Sequence, residues 1–105
     1  MANHAKARDA NEPEIVRALR RVGASVITMH TPLDLIVGYR GENYLLEIKM
    51  PLGPKGGENG ATLTPAQITF FERWQGQACV VRSGLEALAA IGAIASDFQD
   101  DIAIQ

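Results

Sequence analysis

At 105 residues, 47% hydrophobic and 21% charged, the chain has the make-up of one folded domain with a single core. A formal net charge of −2 does not advertise a nucleic-acid binder, and one cysteine excludes an internal disulfide or a cysteine-rich zinc centre. No apolar run approaches the about 20 residues of a membrane span, and "MANHAKARDANEPE" lacks the apolar stretch of a secretory signal. The expectation is a cytoplasmic protein with no membrane contact, and a buried structural thiol at Cys79.

Residues 1–10 are small and polar and read as a flexible N-terminus. "NEPEIVRALRRVG" predicts a helix: Pro13 suits its first turn, Glu12 and Glu14 its positive end, and Gly23 its stop. "ASVITM", "LDLIVGY" and "YLLEIKM" predict three strands, the last two joined by a turn in "RGEN". Residues 51–62, "PLGPKGGENGAT", read as a mobile Gly/Pro-rich loop. "TPAQITFFERW" predicts a second helix, with Thr64 as N-cap, Pro65 first and Gln67 closing a capping box. "QACVVR" predicts a fourth strand, and Ser83 with Glu86 a second capping box opening "GLEALAAI". Residues 92–105 read as a tail able to serve as a dimer arm. The predicted class is α/β, in the order α-β-β-β-α-β-α, with a mixed sheet flanked by helices.

The charged positions of the third strand break its apolar pattern. Residues two apart in a strand share a face, so Leu45, Glu47 and Lys49 point one way while Tyr44, Leu46, Ile48 and Met50 point the other. A hairpin with an even-numbered loop brings Asp34 of the preceding strand onto the face of Glu47. With Gly41-Glu42 as that loop, Asp34 stands opposite Lys49 and Ile36 opposite Glu47. Two carboxylates side by side repel unless a cation separates them, and oxygen donors suit Mg²⁺, with Mn²⁺ as substitute. Removing one acid should then leave metal-free stability unchanged or higher. Lys49 beside such an ion can stabilise developing negative charge or position a water. Taken alone, Glu-x-Lys reads equally as a surface salt bridge on a solvent-facing sheet.

On the first helix, at about 100° per residue, Val16 and Leu19 fall within about 40° of Glu12, while Glu14 lies about 200° away with Arg17 and Arg21. Glu12 therefore heads the core-facing stripe. It is either a helix-dipole partner or a third carboxylate aimed at the metal.

The helix "NEPEIVRALRRVGASV", Asp34 in "PLDLIVG", then "LLEIK" and "LTPAQITFFERWQGQACVVRS" together resemble the PD-(D/E)XK nuclease superfamily, and most closely its small stand-alone VRR-NUC branch found in phage. The resemblance spans residues 11–91. Each motif is weak alone, and the order of motifs is the specific signal. It implies a restriction-endonuclease-like αβββαβ core and Mg²⁺-dependent hydrolysis of DNA phosphodiester bonds. It also implies Asp34, Glu47 and the backbone carbonyl of Ile48 as metal ligands, Lys49 as the motif lysine, Glu12 as the acid of the first helix and Gln67 as the glutamine of the second. The capping box explains Gln67 without catalysis, so the two readings stand side by side. One departure is Pro32-Leu33-Asp34, where the family pattern is Pro-Asp.

Lys55, in the Gly-rich loop, and Arg17 and Arg21 are candidate DNA contacts; a solvated face explains the arginines equally well. Phe70, Phe71 and Trp74 read as core or interface. Stand-alone members of the family resemble Holliday-junction resolvases, which implies a homodimer acting on branched DNA, in a bacterium or phage-infected host cell. The rivals are a sequence-nonspecific or restriction-like nuclease, and a non-catalytic nucleic-acid-binding protein that keeps the fold.

Overall fold

The computed structural model describes residues 9–52 and 60–95. Three helices and four strands follow in chain order: α1 (Glu12–Arg21), β1 (Ser25–Thr28), β2 (Leu35–Tyr39), β3 (Glu42–Ile48), α2 (Pro65–Arg73), β4 (Ala78–Val81) and α3 (Gly84–Ala90). They build an α/β unit around one mixed sheet of order β1-β2-β3-β4. The first three strands are antiparallel neighbours and β4 runs parallel to β3. A parallel neighbour requires a long crossover, and the segment carrying α2 supplies it.

The side chains explain the layering. Ile15 and Leu19, four apart on α1, are buried against Leu35, Val37, Leu46, Ile48 and Val81 of the sheet, with Ala87 of α3 and the following Ile91 completing the core. Burial of each large aliphatic side chain is worth roughly 1.5–3 kcal/mol. Gly84 lets α3 approach α1 closely, since a Cβ there would lie 3.0 Å from Ala18 Cβ. Helix α1 ends where Gly23 turns to φ 89°.

The hairpin joining β2 and β3 closes through Arg40-Gly41, both at positive φ as two-residue hairpin loops require, with Tyr39 facing Glu42. The loop is even-numbered, as the face-sharing argument needs. It sits one residue earlier than Gly41-Glu42, however, so the register moves by two. Ile36 faces Leu45 rather than Glu47. Asp34 lies just outside β2, where the pairing ends: its amide donates to Leu46 O, so it does not stand opposite Lys49.

The two capping boxes part company. Thr64 and Gln67 form the complete reciprocal pair. Ser83 Oγ accepts from the Glu86 amide, but Glu86 Oε1 reaches one residue further back, to the amide of Arg82 at 2.8 Å.

Cys79 is exposed rather than buried. It shares the helix-facing side of the sheet with Val81, but β4 is an edge strand. Phe70, Phe71 and Trp74 are not core residues either: α2 buries none of its side chains, and Trp74 is 46% exposed. Lys55 and the residues beyond 95 lie outside the described residues. No helix among those described is long and apolar enough to cross a membrane.

Candidate functional site

The polar centre of the molecule lies on the face of the sheet opposite α1 and α3. Alternation along β3 sends Leu46 and Ile48 into the core, so Glu47 and Lys49 must point to the other side. That side is covered as well. Glu47 is 1% exposed, Asp34 3% and Lys49 8%. The surface salt-bridge reading of Glu-x-Lys therefore does not apply. Lys49 Nζ lies 3.5 Å from Glu47 Oε2, within the protein rather than on its surface.

Asp34 is held by the strand it faces. Its Oδ2 accepts from the amide of Ile48 at 2.8 Å, and its own amide donates to Leu46 O at 3.1 Å. A strand residue sends its N–H and C=O to the same side. The Ile48 carbonyl therefore projects toward the Asp34 side of β3, beyond the last β2–β3 pair.

Gln67 joins the site without giving up its structural task. Its Oε1 accepts from the Thr64 amide at 3.0 Å, which closes the capping box, and its Nε2 donates to Glu47 Oε2 at 2.9 Å. The capping box and the contact with Glu47 thus coexist in one arrangement. The cap consumes the oxygen and fixes the amide plane, leaving the nitrogen aimed at the carboxylate.

Glu12 is buried at 8% exposure while Glu14 is exposed, as the helical phase required. Its neighbour Asn11 touches the end of β3 directly, donating from Nδ2 to Lys49 O at 3.0 Å. Among the described residues, no three His, Cys, Asp or Glu side chains converge as a metal-holding group, so Glu12 is not gathered into one set with Asp34 and Glu47. Arg17 and Arg21 are exposed on the far face, where they line an open groove of about 330 Å³ with Glu14, Leu85 and Leu88. They are separated from Glu47 by the thickness of the sheet. His30 is exposed.

Sequence reading missed Arg82 and Asn11. The Arg82 guanidinium donates from Nη1 to Met50 O at 2.8 Å and to Ala61 O at 2.7 Å, and Asn11 Nδ2 donates to Arg82 O at 2.9 Å as well as to Lys49 O. No local pattern marks either residue, because the parallel pairing of β4 with β3 that brings Arg82 beside Met50 is itself a tertiary outcome.

Against known protein families, curated proteins and solved structures, the chain gives no match.

Proposed function

We propose that the chain is a metal-dependent DNA endonuclease of the PD-(D/E)XK kind, and that its restriction-endonuclease-like core is the fold described above. The observation that carries the reading is the burial of Asp34, Glu47 and Lys49 together on one hairpin. Buried ionised groups are costly, and well-packed apolar residues in their place are often neutral or stabilising. A sheet that keeps three of them departs from its stability optimum, and such departures concentrate at functional sites.

The donor set fits a hard divalent cation. Two carboxylates and the Ile48 carbonyl are oxygen donors of the type Mg²⁺ takes, with Mn²⁺ as substitute. When bound, the ion polarises the scissile phosphate and lowers the pKa of a water. In this reading, Asp34 and Glu47 hold the ion. The Lys49 ammonium stabilises negative charge that builds on the phosphoryl oxygens. Gln67 keeps Glu47 in a single orientation, and Glu12 supports a second ion or its waters.

The substrate reading is branched DNA cut by a homodimer in the manner of a Holliday-junction resolvase. A small acidic monomer offers few cations to a linear duplex, and a two-fold pair of sites matches a two-fold junction.

A second reading has an observation in its favour. The Glu47–Lys49 pair with the Gln67 contact is already a neutralised network, as expected of a non-catalytic protein with a nuclease fold. Cleavage assays on linear, flapped and four-way DNA with Mg²⁺, Mn²⁺ and EDTA decide between them. Metal-dependent nicking that is lost on Glu47→Gln supports the nuclease. Binding without cleavage under every metal selects the second reading.

A further inference from the structure

Beyond Ile48, the backbone of Lys49 and Met50 leaves the assigned strand, yet all four of its polar groups are held. Lys49 N donates to Val81 O at 3.0 Å, and Met50 N donates to Gly60 O at 2.6 Å. The two carbonyls are satisfied by side chains. Lys49 O accepts from Asn11 Nδ2, and Met50 O accepts from Arg82 Nη1. The two donors are themselves linked, since the other Nδ2 hydrogen of Asn11 goes to Arg82 O. The Arg82 nitrogen that holds Met50 also holds Ala61, so one group ties together both ends of the 51–60 segment.

Local stability does not account for Asn11. Asparagine is among the best N-cap residues because its side-chain oxygen accepts from the first free amides of a helix. Asn11 occupies the N-cap of α1 and makes no such bond; its backbone is already αR, at φ −87° and ψ −1°. Its Oδ1 is buried with no hydrogen-bond partner. Both amide hydrogens are directed to the carbonyls of Lys49 and Arg82, which lie one step past the last β3–β4 pair, Ile48 with Val81.

We infer that Asn11 and Arg82 form a polar clamp that positions Lys49. They fix its backbone so that its ammonium stays beside Glu47. The clamp as geometry stands alone; its catalytic consequence rests on the nuclease reading. Neither residue touches the reacting atoms, so both are positioning residues.

The test uses the full chain and the variants Arg82→Met, Arg82→Lys and Asn11→Ser. The readouts are amine acetylation mapped by mass spectrometry, amide hydrogen exchange, and cleavage kinetics. In the wild type, the Met50 and Lys49 amides are protected and Lys49 is acetylated slowly. In Arg82→Met and Asn11→Ser, Lys49 is acetylated several-fold faster, while the amides of Val37 and Leu46 keep their protection. Arg82→Lys, which retains donors on a long stem, restores most of the wild-type rate. In the cleavage assay kcat falls about 100-fold, the scale set by misplacing a catalytic group by about 1 Å, with KM for DNA little changed. Unchanged Lys49 acetylation in variants with an intact core overturns the clamp. So do Met50 and Lys49 amides that exchange at free-peptide rates in the wild type, a measurement needing no variant. A wild type that cuts no DNA removes the nuclease reading, while acetylation and exchange still decide the clamp.

Discussion

Asp34 carries a hydrogen bond that the repulsion argument did not contain. Its Oδ2 satisfies the Ile48 amide in a site where the residue is 3% exposed. Asp34→Ala leaves that N–H buried without an acceptor, at a cost of roughly 1–3 kcal/mol. Relief of carboxylate repulsion is set against this loss, so the expectation of unchanged or higher metal-free stability is replaced by a lower one. Asp34→Asn keeps an oxygen facing the amide and removes the charge. Thermal melts in EDTA should show Asp34→Ala several degrees below wild type, at about 4–8 °C per kcal/mol for a domain of this size, and Asp34→Asn close to wild type. Both should be inactive. Equal melting temperatures for wild type and Asp34→Ala would mean that relief of repulsion offsets the lost Ile48 bond, and would restore the expectation of unchanged stability.

Cys79 gives a second residue-scale prediction. Desolvation first, and then the nearby Glu86 carboxylate, raise its thiol above the ordinary value, although the residue as a whole is exposed at the sheet edge. Partial screening of the sulfur alone reconciles the two. A pKa raised by folding favours the protonated thiol, so this contribution to stability is complete below the unfolded pKa and fades as pH rises through the folded one. Alkylation near neutral pH should therefore be slower in the native chain than in denaturant, with the two rates converging only at strongly alkaline pH. A native rate equal to the denatured one at neutral pH would remove the shift.

At the scale of elements, the periodicities that bury residues were legible and the exact pairings were not. Glu12 inside and Glu14 outside follow from the helical period alone, and the placing of Glu47 on the face away from Leu46 and Ile48 follows from strand alternation. The register did not follow, because "RGEN" offers two successive two-residue loops. The choice depends on Arg40 adopting φ 52°, which its residue type does not announce. The clamp was illegible for another reason. Asn11 and Arg82 meet across 71 positions, and no local pattern marks such a contact.

Gln67 shows how one element serves two tasks. Thr64→Ala should cost about 0.5–2 kcal/mol through the lost cap, and it should also lower activity, because the Gln67 amide loses one of the bonds that aim it at Glu47. Gln67→Glu should be worse for activity, since it sets a second carboxylate against Glu47 Oε2. Cleavage rates beside melting temperatures separate the two effects. A Thr64→Ala protein less stable but fully active would confine Gln67 to capping.

For the whole molecule, the two faces of the sheet differ. Helices α1 and α3 cover one, whereas among the described residues α2 is the one helix on the other, which carries a row of Ile27, Ile36 and Leu45 across the strands. Ile27 is 64% exposed, and on α2 Ile68 is 45% and Trp74 46% exposed. Phe70 stacks on Trp74 with ring centroids 5.2 Å apart. Apolar surface of this kind beside the buried acids is where the proposed homodimer should close. Trp74 is the single tryptophan, and its fluorescence reports that surface directly. Light scattering should give about twice the 11.3 kDa chain mass, and Trp74 emission should shift on dilution as the dimer dissociates. Trp74→Glu should yield a monomer with its fold intact. If junction cleavage needs two sites, that monomer should lose paired symmetric nicking of four-way DNA before it loses single nicks. Duplex binding by either form should be weak, with only a shallow fall between about 50 and 200 mM salt, because few cations are available to displace counterions. A wild type that is monomeric at every concentration and cuts linear and four-way DNA equally would leave the nonspecific nuclease as the better account of this site.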